Sequence, residues 1–200
     1  MEIILATPRT GSTFICRQLS EQTGKTDYGE IFSISNSANT EESIAKNIQR
    51  FSNNLHGIIK VFPNDFKTCQ DLFSFDLEKF ILSNASGLHV TYRKNYNEQL
   101  QSLYVATITQ NYQNCWDGIY HVPLDLDFYE KLDQYLQSQL LEQSIIAKNW
   151  CKTASQSVKI YALEDYATDA GKLCRPIKWI DEPQLIDFSP SDHFNFGPFE

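Results

Sequence analysis

The sequence predicts an α/β fold, a single-domain three-layer sandwich whose central parallel sheet of about four or five strands is flanked by helices. Three observations predict it. The chain opens with an apolar run, a glycine-containing loop and an amphipathic segment, which is the order strand, turn, helix. Short apolar runs then alternate with helical periodicities. The length of 200 residues suits one such domain.

The opening unit supplies the first element of each kind. Glu2 to Ala6 contains two β-branched isoleucines and is predicted to form a strand near the centre of the sheet. Ile15 and Leu19 recur at helical spacing after the loop, and Gly24 marks the end of the helix. The first N–H groups of a helix have no partner within it and, with the helix dipole, they favour a negative group. The loop is therefore a candidate anion site.

The loop departs from the nucleotide-binding pattern G-x-x-x-x-G-K-[ST]. Aligning Gly11 with the second glycine of that pattern places Ala6 at the first glycine and Ser12 at the lysine. The lysine that neutralises the β- and γ-phosphates is missing, and a cation, Arg9, stands two residues before the glycine. This indicates a relative of the ATP loop that no longer handles a triphosphate.

The loop resembles the phosphosulfate loop of sulfotransferases that use 3′-phosphoadenosine 5′-phosphosulfate (PAPS), which reads P-[KR]-[ST]-G-[ST]-T followed by an apolar residue. The bacterial trehalose-type group is the most similar. The resemblance implies a P-loop nucleotide-hydrolase-like fold, PAPS as co-substrate and no metal. It also implies that one run of residues holds the 5′-phosphosulfate, with its arginine stabilising charge on the leaving oxygen. These residues are Pro8, Arg9, Thr10, Gly11, Ser12, Thr13 and Phe14.

A loop acid follows this unit. Glu30 lies in the segment Thr26 to Ser33, just past the first strand and helix, on the side of the sheet where α/β proteins bind ligands. The segment is similar to the Gly/Pro-x-Glu-[YF]-Phe stretch of bacterial sulfotransferases, which implies that Glu30 is the general base. A solvated loop carboxylate is the alternative for Glu30, and His121 is the alternative base.

A lysine interrupts the second predicted strand. An amphipathic helix is predicted over Glu41 to Leu55, and a strand over Gly57 to Phe62, closed by Pro63 to Phe66. A buried parallel strand accepts Lys60 only if its amine reaches a partner at the strand end; an edge-strand lysine that extends into water is the alternative. Similarity to the G-x-K-[LVI] stretch of the bacterial relatives implies that Lys60 assists the departing oxygen.

A second basic group follows the third predicted strand, Gly87 to Tyr92. A cation at a strand end and a hydroxyl two turns into the next helix can reach one phosphate. In sulfotransferases an arginine and a serine eight residues later hold the 3′-phosphate of the donor. Ser102 follows Lys94 by eight residues and Arg93 by nine. The resemblance thus assigns the 3′-phosphate to Ser102 with Arg93 or Lys94; a basic helix start with a surface serine is the alternative.

The remaining elements are predicted from periodicity. Helices are expected over Phe75 to Ser83, Asn97 to Gln110, Asp127 to Lys152 and Asp165 to Cys174, and a strand over Ser157 to Ala162. Glu164 and Asp165 are interpreted as structural acids. The aromatic, turn-rich stretch Asn111 to Asp127 is expected to line the acceptor pocket, form a lid or cover the core as a hairpin. Residues 176–200 are predicted to be an irregular tail, and Arg175 and Lys178 are the only candidates for the basic C-terminal loop of the family.

The composition of the chain limits the kinds of ligand and the compartment that it can have. The net charge of −8 argues against nucleic-acid binding, which needs clustered Lys and Arg. The five cysteines are widely spaced without a C-x-x-C pair, which favours a reducing, cytoplasmic compartment and no metal site. No apolar run reaches the roughly 18 residues of a membrane span. Oligomeric state is not encoded in any pattern of the sequence.

The function predicted from these motifs is metal-free transfer of a sulfuryl group from PAPS to a hydroxyl or amine of a small-molecule or carbohydrate acceptor. Two alternatives remain open. One is a small-molecule or nucleotide kinase, against which the missing lysine at Ser12 argues. The other is a non-catalytic nucleotide-binding domain.

Overall fold

The computed structural model describes residues 1–34, 39–51, 56–110, 120–166, 177–179 and 183–194. One or two helices follow each strand in these ranges. The strands are β1 (Glu2–Leu5), β2 (Ile58–Val61), β3 (Gly87–Tyr92), β4 (Tyr120–Val122), β5 (Val158–Ala162) and β6 (Ile177–Trp179). The helices are α1 (Ser12–Thr23), α2 (Glu41–Phe51), α3 (Pro63–Phe73), α4 (Leu77–Asn84), α5 (Tyr96–Thr109), α6 (Leu126–Thr153), α7 (Leu163–Tyr166) and α8 (Pro190–Phe194).

The central sheet has four strands in the order β2-β1-β3-β5, and all of them run parallel. β1 is one of the two inner strands, which confirms the central position predicted for Glu2 to Ala6. Parallel neighbours need long crossover connections, and helices supply them here. Because the strands are parallel, all four carboxyl ends meet at one edge of the sheet, so the segments that follow them lie together.

Helices cover both faces of the sheet. Ile4 and Ala6 pack with Ile15, Cys16 and Leu19 of α1 on one face. Neighbouring strand residues point to the opposite face, where they join a larger cluster with side chains of α2 to α6 and of α8. Full burial of an aliphatic side chain such as Ile4 contributes about 1.5–3 kcal/mol. The predicted α/β sandwich with a flanked parallel sheet is confirmed.

Two predicted boundaries need correction. Pro63 to Phe66, expected to close β2, instead begins α3: Pro63 takes the first helical turn, and Asp65 Oδ2 accepts the N–H of Phe62 at 2.8 Å. The helix predicted from Asp165 begins two residues earlier, as α7, at the buried Leu163. Residues 52–55 and 167–174, which complete two predicted helices, lie outside the described ranges.

The tail after residue 175 is not irregular throughout. β6 pairs in parallel with β4, so the described end of the aromatic stretch belongs to a second, two-stranded sheet and not to a local hairpin. Phe194 of α8 is buried and stacks on Tyr92 with ring centroids 4.6 Å apart. The tail is held by aromatic contacts, which produce no periodicity in the sequence.

Candidate functional site at the carboxyl edge of the sheet

The loop after β1 contains two residues in the left-handed region of backbone conformation. Arg9 has φ of 65° and Gly11 has φ of 72°. A non-glycine residue in this region costs of order 1–3 kcal/mol and persists only when its surroundings hold it. Gly11 also has no room for a side chain, since a Cβ atom there would lie 2.4 Å from Cδ1 of Leu163. Leu163, directly after β5, therefore packs the loop against the sheet edge.

Hydrogen bonds inside the loop hold its shape. The hydroxyl of Thr10, 1 % exposed, donates to the carbonyl oxygen of Thr7 at 2.9 Å and lies 3.1 Å from Oγ1 of Thr91 in β3. The Thr10 hydroxyl thus faces the protein interior. Its part in the site is to support the loop from beneath.

Helix α5 fixes the backbone next to Arg9. The fully buried Gln99 donates from Nε2 to the carbonyl oxygen of Pro8 at 2.7 Å and to Oγ1 of Thr7 at 3.2 Å. Since Pro8 directly precedes Arg9, these bonds fix the backbone next to the residue that has the left-handed conformation. Pro8, expected to touch the ligand, offers its carbonyl oxygen to α5.

The same helix contacts the side chain of Arg9. Nε of Arg9 donates to Oγ of Ser102 at 2.9 Å. Ser102 lies one turn beyond Gln99, on the same side of α5. The structure therefore brings together the cation of the opening loop and the serine assigned to the second phosphate.

The start of α1 supplies backbone donors. Ser12 and Thr13 are its first residues, so their N–H groups precede the first intrahelical bond and lie at the positive end of the helix dipole. Ser12 is 7 % exposed, whereas Thr13 is open to solvent. Phe14 donates its N–H to the carbonyl oxygen of Gly11 at 2.9 Å, and its ring packs on the core beside Ile15. Ser12 and Thr13 are thus the α1 residues placed to contact an anion.

Lys60 and Glu30 form an ion pair next to this helix start. Nζ of Lys60 lies 2.6 Å from Oε1 of Glu30 and 3.5 Å from Oγ1 of Thr13. The Lys60 side chain is 9 % exposed and that of Glu30 is 26 % exposed. Of the two alternatives for Lys60, the structure shows the lysine with a partner. The pair links Glu30 to the loop through Thr13.

The backbone places Glu30 beside Lys60. Residues 26–30 run along the outer side of β2: the N–H of Ile58 donates to Thr26 O, and that of Lys60 donates to Gly29 O, each at 2.9 Å. The edge strand is thereby covered, which explains how Lys60 is buried there. The positioning of Glu30 follows from this added strand-like pairing.

A second carboxyl group, that of Asp65, lies near the ion pair of Lys60 and Glu30. Asp65 is 1 % exposed, and burial raises its pKa to about 7, against hydrogen bonds from Phe62 and Ser33 that favour the charged form. The charge of Glu30 raises the pKa of Asp65 further. Asp65 connects the end of β2 to Ser33, three residues after Glu30, and so braces the segment that carries the ion pair.

The basic residues after β3 are surrounded by acids. Nη2 of Arg93 lies 2.5 Å from Oε2 of Glu98, and Nε lies 3.7 Å from Oε1 of Glu164. Nζ of Lys94 lies 2.5 Å from Oδ1 of Asp165. The hydrogen bond to Asp165 raises the pKa of Lys94. Arg93 is buried and Lys94 is exposed, so Arg93 is the better-fixed candidate for binding a phosphate.

Glu164 ties β5 to the start of α5. Its two carboxylate oxygens accept the N–H groups of Lys94 and Asn95 at 2.9 and 3.1 Å. This agrees with the structural role predicted for the acid. The side chains of His121 and Lys178, and Arg175 as a whole, lie outside the part of the chain that the structure describes.

Two buried glutamines of the site were not identified from the sequence. Gln99 holds Pro8, and Gln143 of α6 donates to the carbonyl oxygens of Leu5 and Thr91 at 3.0 and 2.8 Å, across the ends of β1 and β3. The sequence nevertheless contains a signal for both glutamines. Each glutamine lies at a helical position that continues an apolar stripe, and a polar residue there predicts a buried hydrogen bond.

Comparison of the chain with protein-family models, with curated proteins and with solved structures finds no match. Among the residues that the structure describes, no three His, Cys, Asp or Glu side chains are grouped to hold a metal ion. None of the described helices combines the length and the apolar character needed to cross a bilayer. The sulfotransferase interpretation therefore depends on motif resemblance and on the geometry of this edge.

Proposed function

We propose that this protein transfers a sulfuryl group from PAPS to a hydroxyl or amine of a small-molecule or carbohydrate acceptor. The observation that carries the proposal is the hydrogen bond from Arg9 to Ser102 at 2.9 Å. It brings together the two groups that the resemblance assigns to opposite ends of the donor. In this proposal the opening turn is a P-loop-like anion site in which Arg9 supplies the missing positive charge.

The ion pair beside the loop supports a role in proton transfer. In the proposed reaction the acceptor oxygen or nitrogen attacks sulfur and forms the new bond, while the bond from sulfur to the 5′-phosphate oxygen breaks. Glu30 takes the acceptor's proton, and adenosine 3′,5′-bisphosphate leaves. Arg9 and the first N–H groups of α1 stabilise charge on the leaving oxygen. Lys60, between Glu30 and Thr13, is placed to assist that oxygen.

The described thiols fit a cytoplasmic location, which is part of the proposal. Cys16, Cys69 and Cys151 are free. Burial raises the pKa of the Cys16 and Cys69 thiols to about 12, so both remain protonated and unreactive. Free, inert cysteines are typical of proteins in a reducing compartment.

The direct test is a transfer assay with the purified chain. PAPS is offered with a panel of sugars, phenols, alcohols and amines, and both sulfated product and adenosine 3′,5′-bisphosphate are quantified. The proposal predicts stoichiometric release of the two products. Phosphorylated acceptor formed from ATP and magnesium, with none of either product from PAPS, would instead establish the kinase alternative.

A second candidate is a nucleotide-binding domain that performs no transfer. The pairing of Arg93 with Glu98 and of Lys94 with Asp165 favours it, because both cations expected at the 3′-phosphate already have carboxylate partners. Tight binding of adenosine 3′,5′-bisphosphate without product from any acceptor of the panel is the result that this candidate predicts.

A further inference from the structure

The buried guanidinium of Arg93 is partly neutralised by two acids that differ in how firmly they are held. Glu164 accepts two backbone N–H groups, from Lys94 and Asn95, and lies 3.7 Å from Nε of Arg93. Its carboxylate is fixed by these bonds. Glu98 makes the shorter contact, 2.5 Å to Nη2 of Arg93, and its side chain is 44 % exposed. Of the two acids, Glu98 is therefore the one whose side chain borders solvent more openly.

Glu98 also lies next to Ser102 on helix α5. Glu98 and Ser102 are four residues apart, so their side chains are neighbours on one face of the helix. Ser102 holds Nε of Arg9 at 2.9 Å, and Glu98 holds Arg93. The residue that contacts Arg93 is thus a neighbour, on one face of α5, of the residue that contacts Arg9. An anion that binds Arg93 competes with the carboxylate of Glu98 for the same guanidinium.

We infer that Glu98 is a specificity-determining residue that occupies the phosphate position at Arg93 and must leave it before a 3′-phosphate can bind. The inference rests on the proposed function, because it concerns the donor end of the same site. A carboxylate and a phosphate can occupy the same position on a guanidinium, since both accept its planar fork of N–H groups. Glu98 therefore weakens binding of nucleotides with a 3′-phosphate and leaves binding through the 5′-phosphate at the opening loop unaffected.

The charge balance supports the same conclusion. Among the residues that the structure describes, three acids pair with the two cations Arg93 and Lys94: Glu98, Glu164 and Asp165. A phosphate dianion that enters while Glu98 stays in place meets the negative charge of its carboxylate. Displacement of Glu98 breaks its charge-assisted hydrogen bond to Arg93 and opens that guanidinium to the ligand. Displacing Glu98 therefore weakens the binding only of ligands that carry a 3′-phosphate.

The test is calorimetric titration of the full chain with adenosine 3′,5′-bisphosphate and, separately, with adenosine 5′-phosphate. The variant is Glu98→Gln, which keeps the size of the side chain and leaves the cap from Asn95 to the N–H of residue 98 in place. The matched control is Glu42→Gln. Glu42 also lies in the first turn of a helix and pairs with a cation, Lys46, but it is 78 % exposed and outside the site.

The expected result is that Glu98→Gln binds the bisphosphate about tenfold more tightly than the wild-type chain, equivalent to about 1.4 kcal/mol. Binding of adenosine 5′-phosphate stays within about twofold, as does binding of either ligand to Glu42→Gln. Equal binding of the bisphosphate by Glu98→Gln and wild type would overturn the inference and leave the sulfotransferase proposal intact. So would an equal gain for both nucleotides. Failure of every variant to bind the bisphosphate would overturn both.

Discussion

The amine of Lys60 lies 2.6 Å from the carboxylate of Glu30, although Lys60 is on the edge strand of the sheet and Glu30 is in the loop after α1. The ion pair forms because residues 26–30 lie alongside β2 and form backbone hydrogen bonds with it. It holds the carboxylate of Glu30 next to the start of α1, where Oγ1 of Thr13 lies 3.5 Å from the amine. A carboxylate so held is suited to accept a proton from an acceptor bound beside the loop.

Replacing Glu30 by glutamine tests this role. Loss of a general base lowers turnover by about 10²–10⁴-fold, whereas binding of adenosine 3′,5′-bisphosphate stays within about twofold, because Glu30 does not contact the nucleotide in the proposed site. Turnover and nucleotide affinity are measured on the same preparations, with the exposed Glu41→Gln as control. Unchanged turnover in Glu30→Gln would remove Glu30 from the chemistry.

The parts of the fold that local patterns determine were predicted correctly. The strand from Gly87 to Tyr92 agrees with β3 at both ends, and Gly24 ends α1 with φ of 65°. Apolar alternation, helical spacing and a terminal glycine are local properties that a sequence displays directly. The parallel sheet brings the strand ends together, but the direct hydrogen bond between Arg9 and Ser102 was not predicted, because the two residues were assigned to different phosphates.

The contacts that involve distant residues were not predicted. Pro63 was expected to end the strand β2, although proline serves equally well in the first turn of a helix, as it does in α3.

The acids around Arg93 leave no local pattern, because their positions depend on which loops meet in space. The apolar stripe of α5 signals that Gln99 makes a buried hydrogen bond, but it does not identify Pro8 as the partner. The ion pair of Lys60 depended on the pairing of residues 26–30 with β2, and a segment so short has no recognisable period.

The contact between the opening loop and Leu163 can be measured with two glycines. Gly11 and Gly24 both have positive φ, but a Cβ atom at Gly11 would lie 2.4 Å from Leu163, whereas a Cβ atom at Gly24 meets nothing within 4 Å. Gly24→Ala should lower the free energy of unfolding by about 1 kcal/mol through backbone strain alone. Gly11→Ala should cost about 1–3 kcal/mol more, from overpacking. Chemical denaturation of both variants gives the difference, and equal costs would mean that Leu163 does not hold the loop.

A polar cluster at the opposite edge of the sheet predicts acid sensitivity. Burial opposes ionisation of Glu2, but hydrogen bonds from Lys25, His89 and Ser86 outweigh it and lower the pKa of Glu2 to about 2. The ordinary pKa of 4.5 applies in the unfolded chain, so the stabilisation is complete above pH 4.5 and is lost as the pH falls towards 2.

Glu2→Gln therefore lowers the free energy of unfolding at neutral pH by about 1–2 kcal/mol, a value reduced for the solvent that reaches Lys25. Urea unfolding of the two proteins, repeated at decreasing pH, should show this difference shrinking below pH 4.5. A difference that does not depend on pH would show that Glu2 acts through packing and not through its charge.

Asp65 gives the opposite dependence. Its pKa is raised from 3.8 to about 7, so between these values the folded state binds more protons than the unfolded state, and ionisation of Asp65 lowers stability as the pH rises. Asp65→Asn removes that cost and can still accept the N–H of Phe62. We expect it to unfold with a free energy roughly 1–3 kcal/mol higher than wild type at pH above 7 and nearly equal below pH 4.

The control for this comparison is Asp76→Asn. Asp76 also accepts a backbone N–H, that of Lys79, but it is exposed. Its substitution should change stability by no more than about 0.5 kcal/mol at either pH. A lower stability of Asp65→Asn at high pH would mean that the charged carboxylate is needed to hold the end of β2.

The most direct test of the account is the affinity of the chain for adenosine 3′,5′-bisphosphate, measured by titration calorimetry on the wild type and on Arg9→Ala. Arg9 meets Ser102 at the centre of the proposed donor site, so wild type should bind and Arg9→Ala should bind at least about 100-fold more weakly, the effect of losing a charge-assisted contact to phosphate. Wild type that does not bind the bisphosphate, or Arg9→Ala that binds it equally well, would contradict the account.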